Sequence, residues 1–357
     1  MGSSWYSARS NHDVTRTTSA PTVAFPKVRI AVVIPCFRVR AHILDIIALS
    51  PPYVQNVVCV DDCCPEDSGT LVERSTTDPR VRVVRNSRNL GLPGATMASY
   101  REALAAGADV VVKLDGDGQM DPRLISALIW PILTGFADYT KGNRFYDTES
   151  VAAMPRGRLF GNSVLTFFAK VSTGYWQSFD PTNGFTAIHI TALRRLPLEK
   201  MANRYFFESD MLFRLNTIRA VVCDVPMRAV YGAERSNLRI GAIVVPFLVG
   251  HFRNAIRRFA FNYILRDFSI ASTQALIGMP ALLFGVTFGA IKWSQSIASG
   301  VPASSGTVMV SALPLIVGLQ LLPAALGYDI ASVPTTPLQK LVVLPELLGS
   351  PRPESER

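Results

Sequence analysis

Asp115-Gly116-Asp117-Gly118-Gln119 puts two carboxylates two residues apart and an amide two further on, directly after an apolar run. A turn of that spacing lets Asp117 and Gln119 face one hard divalent cation while Asp115 reaches a ligand or a metal-bound water. Oxygen donors of this kind favour Mg²⁺ or Mn²⁺. Asp and Gly are also common turn residues, so an Asx turn that merely closes a strand is the competing explanation. Asp61-Asp62 closes a second apolar run, where one carboxylate can accept from the N–H groups of a nucleobase while its neighbour caps the following turn. An ordinary helix N-cap would look the same. Arg144 and Arg158 supply planar forks suited to phosphate oxygens, and Asn162 follows Arg158 by four residues, on one face of a helix. Plain surface charge is their alternative. His42, His189 and His251 have no metal-ligand spacing among themselves and are read as structural.

Such groups work together only if the fold gathers them at one edge. From residue 29 to about 146, β-rich runs alternate with helical stretches, the pattern of an open α/β sheet with crossover helices. Strands are expected over 29–34, 57–60, 81–85 and 110–114, with a fifth near 138–141. The first four are almost unbroken apolar runs, as for strands buried on both faces. Ligands of such sheets bind beyond the carboxyl ends of the strands. Those ends carry Pro35-Cys36, Asp61-Asp62 and Asp115-Gly116-Asp117. Residues 158–226 are mixed, with helical periodicity over 160–171 and 208–217 and a strand over 220–225, and complete the same domain.

The whole chain has 357 residues, 48% of them hydrophobic and 18% charged, with a mean hydropathy of +0.24. That is too apolar for disorder and too polar for a chain lying wholly in lipid. The net charge of +9 suits an anionic partner. The basic residues cluster beside apolar spans rather than among aromatics on a polar face, which argues against nucleic acid. Gly91-Leu92-Pro93-Gly94 is not a dinucleotide fingerprint. Five cysteines without a Cys-x-x-Cys pair support neither a disulfide framework nor a zinc ribbon, and are read as reduced thiols.

Residues 1–27 read as a disordered polar tail and 28–240 as the catalytic domain. In the juxtamembrane region 241–267, Phe252, Ile256, Phe259 and Tyr263 form one helical stripe, with Arg253, Asn254, Arg257 and Arg258 on the other sides. This basic amphipathic helix fits an anionic leaflet. Residues 268–291 and 307–327 are uncharged and long enough to cross the hydrocarbon, giving two transmembrane helices within 268–330. Pro280, Pro314 and Pro323 are tolerable there. Arg253, Arg257, Arg258 and Arg266 precede the first span and Lys340 follows the second, while the intervening loop is uncharged; the positive-inside rule therefore puts the domain and a 331–357 tail in the cytoplasm. Lys292 and Trp293 would mark the outer interface.

The succession Ile34-Pro35-Cys36-Phe37, Val60-Asp61-Asp62, Asn89-Leu90-Gly91 with Gly94-Ala95, and Asp115-x-Asp117-x-Gln119 resembles the family 2 glycosyltransferases over residues 28–237. The resemblance implies their type A fold, a Rossmann-like open sheet. Within that family the chain is similar to the polyprenyl-phosphate hexosyltransferases, which include dolichol-phosphate mannose synthases and bactoprenol glucosyltransferases. Gly142-Asn143-Arg144, Arg158 with Asn162, Asp180-x-x-Asn183-Gly184-Phe185 and the amphipathic helix before two spans carry this similarity. It implies that Asp62 contacts the base, Asp115 the donor, Asp117 and Gln119 the metal, and that Arg144 and Arg158 hold the acceptor phosphate. Phe207-Glu208-Ser209-Asp210 is similar to the stretch where some members acting on sugar hydroxyls place an acid with a base role, so Asp210 or Glu208 could take a hydroxyl's proton if suitably placed; otherwise they are positioning residues or the favourable acids of a helix's first turn. Pro35, Asn162 and Glu208 join the substrate-binding candidates, and Asp210 the catalytic ones. Asn162 stands where those enzymes commonly carry Ser, and Arg228 to Ser236 departs from their usual Gly-Glu-Ser-Lys segment.

The expected activity is metal-dependent, inverting transfer of a hexose from a nucleotide diphosphate sugar to polyprenyl phosphate at the cytoplasmic face of the inner membrane. A sugar hydroxyl on a lipid-linked glycan is the alternative acceptor, and would require Asp210 or Glu208 as base. A catalytically silent membrane scaffold is a third reading, opposed by the intact Asp115, Asp117 and Gln119.

Overall fold

The computed structural model describes residues 28–146, 156–202, 206–227 and 240–341, with side chains omitted for 156–160 and 240–243. The expected 1–27 tail and the departing segment 228–236 lie outside the described residues. Seven strands form one sheet in the order β3-β2-β1-β4-β6-β5-β7. They are β1 Ile30–Cys36, β2 Asn56–Asp61, β3 Val81–Arg85, β4 Val110–Lys113, β5 Tyr139–Asn143, β6 Thr186–His189 and β7 Val222–Pro226. β3, β2, β1 and β4 run parallel, whereas β6 is antiparallel to both β4 and β5. The sheet is therefore mixed, and β6 is a strand that the sequence pattern did not suggest. β3 coincides with its expected bounds but lies at the edge, where Arg82 and Arg85 face solvent rather than a second layer.

Alternation along β1 shows the double-sided burial directly. Ala31 and Val33 enter one core, while Ile30, Val32, Ile34 and Cys36 enter the other. At about 1.5–3 kcal/mol for each fully buried aliphatic side chain, a strand like this stays central. Over the first face lie α3 (Gly91–Ala105) and, in part, α6 (Phe207–Thr217), through Tyr100, Ala103, Met211 and Leu215. Over the second lie α1 (Ile43–Ala48) and α4 (Ile125–Leu133), through Ile43, Ile47, Leu128 and Ile132. α2 (Ser68–Ser75) follows β2, and α5 (Arg156–Thr173) links β5 to β6.

α7 (Ile240–Phe259) exposes an apolar stripe beside Arg253 and Arg257 and turns other polar groups inward. Val245, Leu248, Val249, Phe252 and Ile256 are exposed, while His251, Asn254 and Arg258 are buried against the domain. The anticipated stripe is split, since Tyr263 lies inward in a wide π-turn over Ala260–Arg266. Among the described residues, two helices are long and apolar enough to cross a membrane, α8 (Ile270–Ser299) and α9 (Ser305–Ala331). They approach at small residues: a Cβ on Gly285 would lie 2.7 Å from the Leu315 nitrogen, and one on Gly318 2.8 Å from that of Leu282. Ser311 Oγ closes the contact by donating to the Gly285 carbonyl at 3.0 Å. Small residues that let backbones meet are the usual means of pairing helices without a hydrophobic drive.

Residues 332–341, within the expected 331–357 tail, return to the sheet. Asp138, fully buried at the start of β5, accepts from the backbone N–H of Leu338 at 2.9 Å and of Gln339 at 3.2 Å. The Gln339 amide donates to the Ile132 and Ala137 carbonyls at 3.0 and 2.8 Å, and Leu338 joins the α3 core. The segment is a strap across the domain.

Candidate active site

Antiparallel pairing on both sides of β6 makes β5 parallel to β4, with Thr186 opposite Lys113 on one and Lys141 on the other. Lys113 and Lys141 are therefore level, two strand spacings or about 10 Å apart, and β5 runs two residues further, to Asn143. Asp115 and Asp117 follow β4 and Arg144 follows β5, so three of the expected residues share one sheet edge.

Lys113 sits in the strand with its side chain 2% exposed and donates to Asp115 Oδ1 at 2.6 Å and to the Gly184 carbonyl at 3.2 Å. The neighbouring carboxylates Asp115 and Glu208 hold its ammonium above its ordinary pKa despite the opposing burial. Asp117 makes an Asx turn, accepting from the Gln119 N–H at 3.0 Å, with Gly118 at φ +77° against the His42 ring. Its carboxylate is partly exposed and the Gln119 side chain exposed. Among the described residues no three His, Cys, Asp or Glu side chains could hold a metal unaided. The turn's hard oxygens nevertheless fit Mg²⁺ or Mn²⁺, which take few protein ligands and complete their shell with substrate phosphates and water.

On the β5 side, Asp180 grips Arg144 in a fork, Nε at 2.7 Å and Nη2 at 2.8 Å, and is itself 1% exposed against 35% for the arginine. Asn183 donates to Asp180 at 3.3 Å and accepts from the Phe185 N–H at 3.0 Å. Lys141 is buried beneath, bonded to the Phe179 and Asp180 carbonyls and 3.1 Å from the Asp224 carboxylate. The 180–185 turn thus joins the two halves, because Gly184 touches Lys113 and Asp180 holds Arg144.

Pro35 lies inside β1 opposite Val60, beyond the last β4 partner at Val33, where its missing N–H leaves no gap in the ladder. Asp61 caps the next turn, accepting from Cys64 N–H at 2.8 Å and Gly69 N–H at 2.7 Å. Asp62 is 2% exposed and accepts from the Asn86 amide at 2.7 Å and the Leu90 N–H at 2.9 Å. It braces the 86–91 loop, so a base would have to share a carboxylate already engaged. Arg158 falls in the first turns of α5, with its side chain outside the described residues; Asn162 lies on the same helix. His189 bonds Thr191 and His251 bonds Ser172, while all five cysteines are free.

Asp210 is already engaged by neighbours. Its oxygens accept from Arg214 Nε at 2.8 Å, the Ala202 N–H at 2.9 Å and Asn254 of α7 at 3.0 Å, and it is 1% exposed. Residues two apart on a helix point about 200° apart, so Asp210 secures α7 while Glu208 faces Lys113, Tyr100 and Asp115. Burial, reinforced by the Asp115 charge and opposed by Lys113, raises the Glu208 carboxyl to about 7.

Residues 31–197 match the family model described as glycosyl transferase family 2. The chain carries a family 2 glycosyltransferase domain. A UDP-N-acetylglucosamine–dolichyl-phosphate N-acetylglucosaminyltransferase of Methanococcus voltae is 30% identical over 166 residues, 45% of this chain and 66% of that protein, just under two thirds. An undecaprenyl-phosphate mannosyltransferase of Micrococcus luteus is 29% identical over 191 residues, 53% of this chain and 77% of its own length. The structure of glucosyl-3-phosphoglycerate synthase from Mycobacterium tuberculosis in complex with UDP superposes with a TM-score of 0.50, covering 64% of this chain and 80% of that one at 20% identity. At that identity the likeness is one of fold, an open mixed sheet of the type A kind.

Within this family 2 domain, sequence reasoning passed over Lys113 and Lys141. Their signal was a lysine inside an apolar strand, which is almost never buried without a partner. Gly184, which the sequence marked only as part of the Asp180 motif, leaves room for both groups: a Cβ there would stand 2.5 Å from Asp115 Oδ2 and 2.8 Å from Lys113 Nζ. Gly184→Ala is expected to displace Asp115 and lower kcat/KM for the nucleotide sugar by about 10- to 100-fold, the scale of a small misplacement at a reacting site. Steady-state kinetics with the donor varied would check it; parent-like kinetics would remove Asp115 from donor binding.

Proposed function

We propose that this protein transfers a hexose from a nucleotide diphosphate sugar to polyprenyl phosphate, with inversion by a single displacement, at the cytoplasmic face of the inner membrane. The observation that carries the reading is the shared sheet edge, with the Asp115–Asp117 turn after β4 and, two strands away after β5, an arginine braced by Asp180. The named activities of the Methanococcus voltae and Micrococcus luteus relatives agree with it. So do the outward apolar face of α7 and the two long apolar helices, which suit a domain lying on a bilayer that holds its substrate.

Lys113 orients Asp115 toward the donor, and Pro35 and Asp62 border the space for the base. Asp117 and Gln119 would hold Mg²⁺ or Mn²⁺, which neutralises charge on the departing nucleoside diphosphate. Arg144, fixed by Asp180, and Arg158 with Asn162 hold the acceptor phosphate in line. A phosphate is already ionised at neutral pH, so position and charge suffice and no base is required.

Incubating membranes containing the protein with undecaprenyl phosphate, Mn²⁺ or Mg²⁺ and a panel of radiolabelled nucleotide sugars tests this. An acid-labile, organic-soluble labelled monophosphate is expected; label in a larger glycolipid alone would overturn the phosphate acceptor.

One observation favours a hydroxyl acceptor instead, namely Glu208, poised near neutrality beside Asp115. The two readings part on pH. With a hydroxyl acceptor, kcat/KM climbs as pH rises through about 7 and Glu208→Gln removes the climb. With a phosphate acceptor, Glu208→Gln retains transfer. Stability gives a separate check on the proton: a carboxyl raised by folding is destabilising once the unfolded chain ionises. The Tm advantage of Glu208→Gln over the parent should therefore grow from the ordinary value of 4.5 up to about 7 and then level off. A flat difference would place Glu208 in water.

A further inference from the structure

Asp329 is the charged residue of α9, two residues before its end, and is 7% exposed. Arg258 of α7 donates to both its oxygens, at 2.6 and 2.8 Å, the Tyr263 hydroxyl donates to it, and so does the Trp176 indole N–H at 2.7 Å. Arg258 also binds the Val171 carbonyl near the end of α5 at 2.8 Å. Desolvation offsets much of the Coulomb gain of so buried a pair, whereas its directed bonds fix one placement of α9, α7 and the loop after α5.

That loop runs from Trp176 to the group that holds Arg144. Ser178 Oγ and the Phe179 N–H donate to Asp224 at 3.0 and 2.7 Å, and Lys141 takes the carbonyls of Phe179 and Asp180. Asp180, with φ +51°, then forks onto Arg144. A non-glycine residue in the left-handed region is held there by its surroundings, so the position of the Asp180 carboxylate depends on how both flanks of the loop are anchored. One flank is the sheet; the other is the membrane hairpin.

We propose that Asp329 is a positioning residue for Arg144, acting through Trp176 and residues 176–180, so that the seating of the hairpin sets the acceptor-phosphate site. The inference rests on the assignment of Arg144 to that phosphate, and adds that the membrane helices tune acceptor affinity as well as anchoring the chain.

The test uses the full chain in phosphatidylethanolamine–phosphatidylglycerol nanodiscs, with undecaprenyl phosphate varied and the donor sugar returned by the panel. Trp176→Phe keeps the ring and removes the N–H. It is expected to raise the acceptor KM about tenfold, as for loss of a hydrogen bond to a charged group, with kcat and donor KM within about twofold of the parent. In an Arg144→Ala background the same substitution should add nothing, because the effect travels through Arg144. Asp329→Asn should follow the same pattern. An unchanged acceptor KM in Trp176→Phe, a rise of equal size in both backgrounds, or a rise in donor KM in Asp329→Asn overturns the inference and leaves the Arg144 assignment standing. An Arg144→Ala variant with the parent's acceptor KM overturns that assignment and the inference with it.

Discussion

Asp117→Ala is expected to lose sugar transfer by about 10²–10³-fold, the cost of deleting one preorganised charge-stabilising group at a transferring centre. The folded state should hardly notice. Asp117 is partly exposed at a turn, and its bond from the Gln119 N–H at 3.0 Å contributes only about 1 kcal/mol net. Activity and stability therefore separate in this variant, which makes it informative. Single-turnover transfer measures the first, thermal unfolding the second, and Mn²⁺ binding followed by electron paramagnetic resonance in the presence of nucleotide measures the ion directly. A variant that unfolds like the parent, binds Mn²⁺ weakly and transfers slowly supports the oxygen-donor turn; one that transfers at the parent's rate removes the metal role from Asp117.

The opposite separation is expected at Asp138. Its carboxylate is fully buried and accepts from the backbone of Val221 at 2.9 Å as well as from Leu338 and Gln339 of the strap. Asp138→Ala leaves these N–H groups without their acceptor, and at roughly 1–3 kcal/mol for each buried group stranded the domain should lose about 3–5 kcal/mol. Asp138→Asn retains one acceptor oxygen and should lose less, about 1–2 kcal/mol. Denaturant unfolding of the detergent-solubilised chain checks the magnitude, and limited proteolysis near 332–341 checks the place. An Asp138→Ala protein as stable as the parent, with the strap still protected, would mean that Leu338 alone carries the docking.

What the sequence disclosed was what a few neighbouring residues decide. The apolar runs that became β1, β2, β3 and β4, the Asx spacing of Asp117 and Gln119 and the uncharged stretches of α8 and α9 are all local signals. β6 was hidden because Thr186–His189 is short and its partners lie far away in sequence. Glu208 and Asp210 could not be ranked, since both stand in the first turn of α6 and only the packing of α7 decides which faces the sheet edge. Two polar residues of α7 turned inward for the same reason: Asn254 answers Asp210 and Arg258 answers Asp329, partners that no periodicity reveals. Lys113 and Lys141 were visible as oddities in apolar strands, but their meaning depends on Gly184 and Asp224, contributed by later parts of the chain.

The strap also imposes an order on how the molecule is made. Leu338 reaches an aspartate that left the ribosome 200 residues earlier, so at translation rates of about 5–20 residues per second that carboxylate waits about 10–40 s for its partner. During that interval the sheet is nearly whole, but α8 and α9 have yet to be synthesised and paired. The last stitch of the catalytic domain is therefore made after the hairpin, and a chain stalled or cut before residue 338 leaves the ribosome with the start of β5 unclosed.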